Sequence, residues 1–129
     1  MGDAQIRLRP GHAQVRPQRI VLSRRAGFDL QAVSLAMNGL PGQSVARPGK
    51  WGNPFSISAI MAETGLDRNG AQAEAVDRHR RWMDGDIEAD RPRPSRADIR
   101  VALAGRNLAC WCPMGTPCHA ENLIAIANE

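Results

Sequence analysis

The sequence predicts a small single α/β domain with a Rossmann-like sheet and flanking helices; an α+β arrangement is the alternative. Apolar, β-branched runs at residues 19–23 and 107–112 are typical of buried strands. Several segments between them carry the start and stop signals of helices. A mixture of strand and helix without an internal repeat indicates one α/β core, and a chain of 129 residues suffices to bury it.

The first part of the chain contains few regular elements. Residues 1–17 are rich in Arg, Pro and Gly without periodicity, which predicts a flexible N-terminal extension before a domain over residues 18–129. After the strand at 19–23, residues 32–39 could form a strand or a short helix. Residues 44–48 should be extended, because the residue before a proline avoids the α region.

Two helices are predicted in the middle of the chain. A helix over residues 56–64 would begin at Ser56 or Ser58 and stop at Gly65. Residues 71–86 show the clearest helical periodicity of the chain.

Two more helices are predicted towards the C-terminus, on either side of the second strand. Ser95 would cap a helix over residues 96–104. In a final helix over residues 118–129, Thr116 would be the N-cap and Pro117 the first helical residue.

The chain is basic. Its net charge of +4 and isoelectric point of about 9.8 suggest anionic partners such as nucleotides, phosphorylated metabolites or nucleic acid. All basic residues except Lys50 are arginines, they are dispersed along the chain, and the sequence has no tyrosine. An aromatic platform for single-stranded nucleic acid is therefore poorly supported.

Targeting and membrane segments are not indicated. The first residues lack an apolar segment followed by a small-residue cleavage site, which argues against a secretory signal. No apolar run approaches the ~18 residues that a membrane span needs. We therefore expect a cytoplasmic protein without a membrane partner; the sequence leaves its oligomeric state open.

Every cysteine of the chain lies in the stretch ACWCPMGTPCHAEN. In an intracellular protein such a cluster favours metal binding or a reactive thiol over structural disulfides. One interpretation is a zinc site with the ligands Cys110, Cys112, Cys118 and His119. The second is a catalytic Cys118 at a helix N-terminus, with His119 as its partner. The third is that Cys110 and Cys112 are core residues on a strand, with Trp111 on the opposite face.

The segment ARPGKWGNPF, with two prolines and two glycines, predicts a shaped loop. Together with two arginines that follow the first strand, it could hold a phosphate and a base or sugar. The candidate ligand-binding residues are Arg24, Arg25, Arg47, Lys50, Trp51, Gly52 and Asn53. The cations would neutralise phosphate, Trp51 would stack, Asn53 would form hydrogen bonds and Gly52 would allow close backbone approach. A structural loop with Trp51 packed in the core is the alternative.

Three segments in this order, RIVLSRRAGF, ARPGKWGNPF and LAGRNLACWCPMGTPCHAENLIAIAN, resemble a domain-of-unknown-function family of short bacterial and phage proteins. The resemblance covers residues 19–128. It implies that the signature positions are Arg24, Arg47, Lys50, Trp51, Gly52, Asn53, Cys110, Cys112, Cys118 and His119. The family brings no established activity, so the resemblance sharpens the site and leaves the reaction open.

The loop and the cluster together predict a small domain that binds a nucleotide or a related phosphorylated ligand. If the protein is an enzyme, we expect hydrolysis or transfer at a nucleotide or nucleoside. Cys118 or a metal-bound water would react, with His119 as the acid–base partner. A zinc-stabilised module that binds nucleic acid is one alternative, and a thiol redox or sensor protein is another.

Overall fold

A three-stranded parallel sheet organises the fold. The computed structural model describes residues 15–129, so most of the predicted extension over residues 1–17 lies outside the described part of the chain. The strands are β1 (Arg19–Val21), β2 (Gly42–Ser44) and β3 (Asn107–Cys110), with β3 in the centre. Each outer strand pairs in parallel with β3. The carboxyl ends of all three strands therefore meet at one edge of the sheet.

Helices make up the remaining regular structure of the described residues. The described residues form α1 (Leu30–Asn38), α2 (Ile57–Thr64), α3 (Arg68–Met83), α4 (Arg96–Leu103) and α5 (His119–Ala127). This mixture of helices and a small parallel sheet agrees with the predicted α/β class and also with its α+β alternative. Within the described residues, every helix is either too short or too polar to cross a lipid bilayer.

Local sequence signals set several helix ends. The segment 32–39, for which the sequence left strand and helix open, is helical and stops at Gly39, whose φ of 80° suits glycine. Ser56 and Ser95 accept hydrogen bonds as the N-caps of α2 and α4, which confirms both predicted helix starts. Asp67 caps α3, so this helix begins before the predicted residue 71.

The predicted start of the last helix is wrong. Cys118, not Thr116, is the N-cap of α5, and its Sγ accepts a hydrogen bond from the amide of Ala120 at 3.5 Å. The hydroxyl of Thr116 is engaged elsewhere: it donates to the carbonyl of Pro113 at 2.6 Å and accepts from Nε2 of Gln72 at 2.9 Å. Because these two hydrogen bonds, one within the turn and one to α3, engage the Thr116 hydroxyl, it does not cap α5.

The strands are shorter than the apolar runs that predicted them. β1 covers only the first three residues of its run. β3 ends at Cys110 because the chain bends at Trp111 and then turns. β2 overlaps the predicted extended segment 44–48 only at Ser44.

Helices cover both faces of the sheet. Side chains alternate along a strand, so Leu108 and Cys110 share one face, where they pack in the core with residues of α3 and α5. Asn107 points to the opposite face, where its Nδ2 donates to Oγ of Ser34 in α1 at 2.8 Å. Cys110, the last residue of β3, thus lies in the core at the carboxyl edge of the sheet.

Candidate functional site

A cavity of about 530 Å³ opens at the carboxyl edge of the sheet. The segments that follow β2 and β3 border it, together with the first turns of α3 and α5. The predicted loop contributes Arg47 and Asn53, and the cysteine segment contributes Cys110, Cys112 and His119. The volume is in the range of small-molecule sites. Both motifs singled out in the sequence therefore border one ligand-sized cavity.

The sulfur atoms of Cys110, Cys112 and Cys118 converge, and all lie within 4.8 Å of one another. Cys110 and Cys118 are buried, whereas Cys112 is partly exposed at the cavity wall. The sulfurs of Cys110 and Cys118 are at disulfide-bonding distance, while their Cα atoms are 7.8 Å apart, beyond the usual Cα separation in a disulfide. Three thiols at this spacing could hold a metal ion.

His119, which the sequence indicated as a fourth ligand, is not part of the group of ligand atoms that all lie within 4.8 Å of one another. Its Nε2 is 2.8 Å from the carbonyl oxygen of Val45, and because a carbonyl only accepts, Nε2 carries the proton. Burial lowers the pKa of His119 by more than hydrogen bonding to the backbone of Val45 and Trp51 raises it. The ring is therefore neutral near pH 7, and its unprotonated Nδ1, 3.9 Å from Sγ of Cys118, can accept a proton.

A second buried histidine packs behind the first. The ring centroid of His79, on α3, lies 5.2 Å from that of His119. Nδ1 of His79 is 3.0 Å from Nδ2 of Asn122, and because an amide nitrogen donates, Nδ1 accepts. Burial lowers the pKa of His79 to about 3, and the charge of His119 acts in the same direction. Two neutral imidazoles thus meet edge to face, with His119 at the cavity wall and His79 behind it.

Three arginines place positive charge around the cysteines. Arg47 and Arg68 line the cavity, and neither forms an ion pair with another residue of the described range 15–129. Burial raises the pKa of the Cys112 thiol and outweighs the charges of Arg19 and Arg68, which lower it. The charge of Arg47 also helps to lower the pKa of His119. The cavity therefore presents positive charge to an incoming ligand.

Two loop residues maintain the shape of the loop itself. Asn53 is buried, its Nδ2 donates to the carbonyl of Ala75 at 3.0 Å, and its Oδ1 accepts from the amide of Phe55 at 2.9 Å. A Cβ on Gly52 would lie 2.6 Å from Cγ of Arg47. The close backbone approach that the sequence predicted at Gly52 is thus an approach to the loop's own arginine.

Five of the seven predicted ligand residues lie outside the cavity lining: Gly52, whose neighbour is Arg47, and Arg24, Arg25, Lys50 and Trp51. Trp51 packs against the hydrophobic core, as the structural alternative for this loop expected. The ammonium group of Lys50 lies 4.8 Å from the centroid of the Trp51 ring. Arg25 is exposed beyond the end of β1. Their predicted contacts with a ligand stay predictions.

Several cavity residues were not indicated by the sequence. Trp111 was expected on the face opposite the cysteines, but the bend after Cys110 makes it line the same cavity, and the guanidinium of Arg24 lies 4.4 Å from its ring centroid. Arg68 and Gln72 line the cavity because tertiary packing brings the start of α3 against the cysteine segment. Asp67, the observed N-cap, is a local signal that could have placed the start of α3 here instead of at residue 71. The contact with the cysteine segment had no local signal.

Comparison with known proteins gives a family and no activity. Neither the curated proteins nor the solved structures yield a match. A family model described as Domain of unknown function (DUF4326) matches residues 35–129. Because the matched region is most of the chain and includes both the WGNPF loop and the three cysteines, this protein belongs to the DUF4326 family.

Proposed function

We propose that the protein binds an anionic, nucleotide-sized small molecule in the cavity, next to a zinc ion held by Cys110, Cys112 and Cys118. The observation that carries this proposal is that the loop after β2 and the cysteine segment after β3 border one cavity of about 530 Å³. Parallel sheets covered by helices bind ligands outside the carboxyl ends of their strands. On this basis we interpret the sheet as a small Rossmann-like arrangement.

The charge and aromatic surface of the cavity support a nucleotide-like ligand. Arg47 and Arg68 line it, and guanidinium groups bind phosphate oxygens through paired, charge-assisted hydrogen bonds. Trp111 offers an aromatic face for a base, and Arg24 lies over its ring. A ligand that carries both a phosphate and a planar ring would use both features.

The burial of the cysteines supports a metal ligand role over a nucleophilic one. Cys118 is only 1% exposed and lies outside the cavity lining, so a bound substrate would not reach its sulfur. Cys110 and Cys112 line the cavity, and an ion shared by the three sulfurs would border the ligand. The long Cα separation of Cys110 and Cys118 suits two ligands of one ion better than a direct bond.

The neighbourhood of the cluster suits hydrolysis. Zinc with three protein ligands keeps a fourth position for water or substrate. Neutral His119 can accept a proton at Nδ1, and hydrogen bonding of its Nε2 to Val45 fixes the ring. We therefore assign to this site the hydrolysis of a phosphorylated nucleoside, in which water adds across the cleaved bond.

Isothermal titration with the common nucleoside monophosphates, and with inorganic phosphate alone, tests the binding proposal. Arg47→Met and Arg68→Met should each weaken nucleotide binding by about 10- to 100-fold, because each removes a charged hydrogen-bond donor. Arg100→Met is the matched control: it removes the same charge from an exposed side chain on α4. Equal affinities in all three variants and the wild type, or no binding by the wild type, would contradict the proposal.

A further inference from the structure

Arg19 is an unusual buried cation. It is the first residue of β1, and its side chain is only 5% exposed. Nη2 donates to the carbonyl of Pro113 at 3.1 Å, but Nε and Nη1 have no hydrogen-bond partner within the described part of the chain. The nearest carboxylate oxygen, on Glu121, is 3.6 Å from Nε, and the Glu121 side chain is 63% exposed.

Such a side chain requires an explanation. Burying a guanidinium is costly unless a counter-charge and hydrogen-bond acceptors accompany it, and buried polar atoms in native proteins are nearly always paired. An exposed glutamate beyond hydrogen-bonding distance compensates little of this cost. Two buried donors without acceptors therefore indicate negative charge close to Arg19 in the functional state.

The cysteine cluster is the neighbouring source of such charge. Arg19 pairs with Leu108, two residues before Cys110, and side chains two residues apart on a strand share a face. Its hydrogen bond to Pro113 fixes the guanidinium against the turn that directly follows Cys112.

We propose that Arg19 is the buried counter-charge of the three-cysteine metal site and that its guanidinium sets the affinity of that site for zinc. Three thiolates around Zn²⁺ carry one net negative charge, which a single guanidinium neutralises. This inference rests on the proposed zinc site. It makes Arg19 a positioning residue, because it acts on the metal through the sulfur ligands.

Cobalt and zinc titrations of the metal-free, reduced full-length protein test this inference. Sulfur-to-cobalt charge-transfer absorption reports thiolate binding, and competition with a chromophoric chelator gives the zinc affinity. Arg19→Met should weaken zinc binding by about 10- to 100-fold. Arg19→Lys keeps the positive charge but not the planar guanidinium, so its zinc affinity should fall by a smaller factor. Arg100→Met should bind zinc as the wild type does.

Two further measurements separate this role from a structural one. Glu121→Gln removes the nearest carboxylate and should leave the zinc affinity unchanged; a loss equal to that of Arg19→Met would show that the ion pair, not the counter-charge, matters. Urea unfolding of the metal-free variants reports their intrinsic stability. If Arg19→Met does not fold, Arg19→Gln decides, because it also removes the positive charge but keeps an amide that can donate to the carbonyl of Pro113; it should still bind zinc more weakly than the wild type.

The outcomes distinguish the two proposals. Wild-type protein that binds neither metal overturns the zinc site, and with it the role of Arg19. Wild-type protein that binds zinc, with equal affinity in folded Arg19→Met or, if that variant does not fold, in Arg19→Gln, overturns only the role of Arg19.

Discussion

Nε2 of His119 donates a hydrogen bond to the carbonyl oxygen of Val45 across 2.8 Å, and both residues are buried. Val45 directly follows β2 and leads into the loop that contains Arg47, whereas His119 is the first residue of α5. This bond joins the two motifs that are far apart in the sequence and holds them at the cavity.

His119→Ala should therefore destabilise the protein and weaken ligand binding together. The Val45 carbonyl would lose its donor in a buried position, at a cost of about 1–3 kcal/mol in the free energy of unfolding. His119→Gln, whose amide can still donate a hydrogen bond to Val45, should lose less stability and less ligand affinity. Urea unfolding gives the stability, and nucleotide titration gives the affinity. Identical losses in the two variants would show that the hydrogen bond is not what joins the motifs.

Gly52→Ala should deform the cavity through Arg47. The added Cβ would lie 2.6 Å from Cγ and 3.0 Å from Cα of Arg47, so the loop backbone must move. We expect a cost of about 1–3 kcal/mol in the free energy of unfolding, together with weaker nucleotide binding. Gly49→Ala, in the same loop, places its Cβ 3.3 Å from the carbonyl of Ala46 and is the control. A Gly52→Ala protein that binds nucleotide as tightly as Gly49→Ala would contradict this expectation.

The buried histidine His79 predicts an acid-sensitive fold. Its pKa is about 3 in the folded protein, against an ordinary value of 6.5. As the pH falls below 6.5, the unfolded chain binds a proton that the folded chain excludes, so the free energy of unfolding decreases. The slope is at most about 1.4 kcal/mol per pH unit for this residue. Above pH 6.5 this contribution is fully present and constant.

Urea unfolding at several pH values between about 5 and 7 measures this slope. Glu63 and Asp77, whose pKa values are lowered by neighbouring arginines, stay ionised in this window. His79→Gln should reduce the slope without abolishing it: the unfolded variant no longer takes up that proton, but it still protonates His119, whose pKa burial also lowers in the folded state. An unchanged slope would show that His79 is protonated in the folded state.

The three thiols should differ in reactivity when metal is absent. In reduced protein, Cys112 should be alkylated before Cys110 and Cys118, because it is the partly exposed one. Its rate should rise only at alkaline pH, since burial raises the pKa of this thiol. Mass spectrometry after brief alkylation identifies the modified residue. Cys118 reacting first, below pH ~8.5, would favour the thiol sensor alternative.

Local signals predicted the helices well and the strand ends less well. Ser56 and Ser95 act within a few residues of themselves, so their roles were visible in the sequence. The cap of α5 was mispredicted because Thr116 and Cys118 can both accept a hydrogen bond from a helix start. Contacts with Pro113 and Gln72, which local sequence does not reveal, occupy the threonine.

The sequence predicted many of the residues at the candidate site but only part of how they are arranged in space. The convergence of the three sulfurs follows from their short spacing around one turn. The roles of Arg19 and Trp111 depend on strand pairing and on the bend after Cys110, which no local pattern encodes. Asn53 and Gly52 were predicted to contact a ligand. In the structure they stabilise their own loop, a role that polar residues and glycines share with ligand binding and that the sequence does not distinguish from it.

The zinc content of the reduced, tag-free protein and of its Cys112→Ser variant tests the central claim most directly. Cys112 is the informative position, because it is not part of the Cys110–Cys118 pair whose sulfurs are at disulfide distance. We predict about one zinc ion per wild-type chain and a large loss in Cys112→Ser. Reduced wild-type protein that holds no zinc, or a Cys112→Ser variant that holds as much zinc as the wild type, would contradict the account.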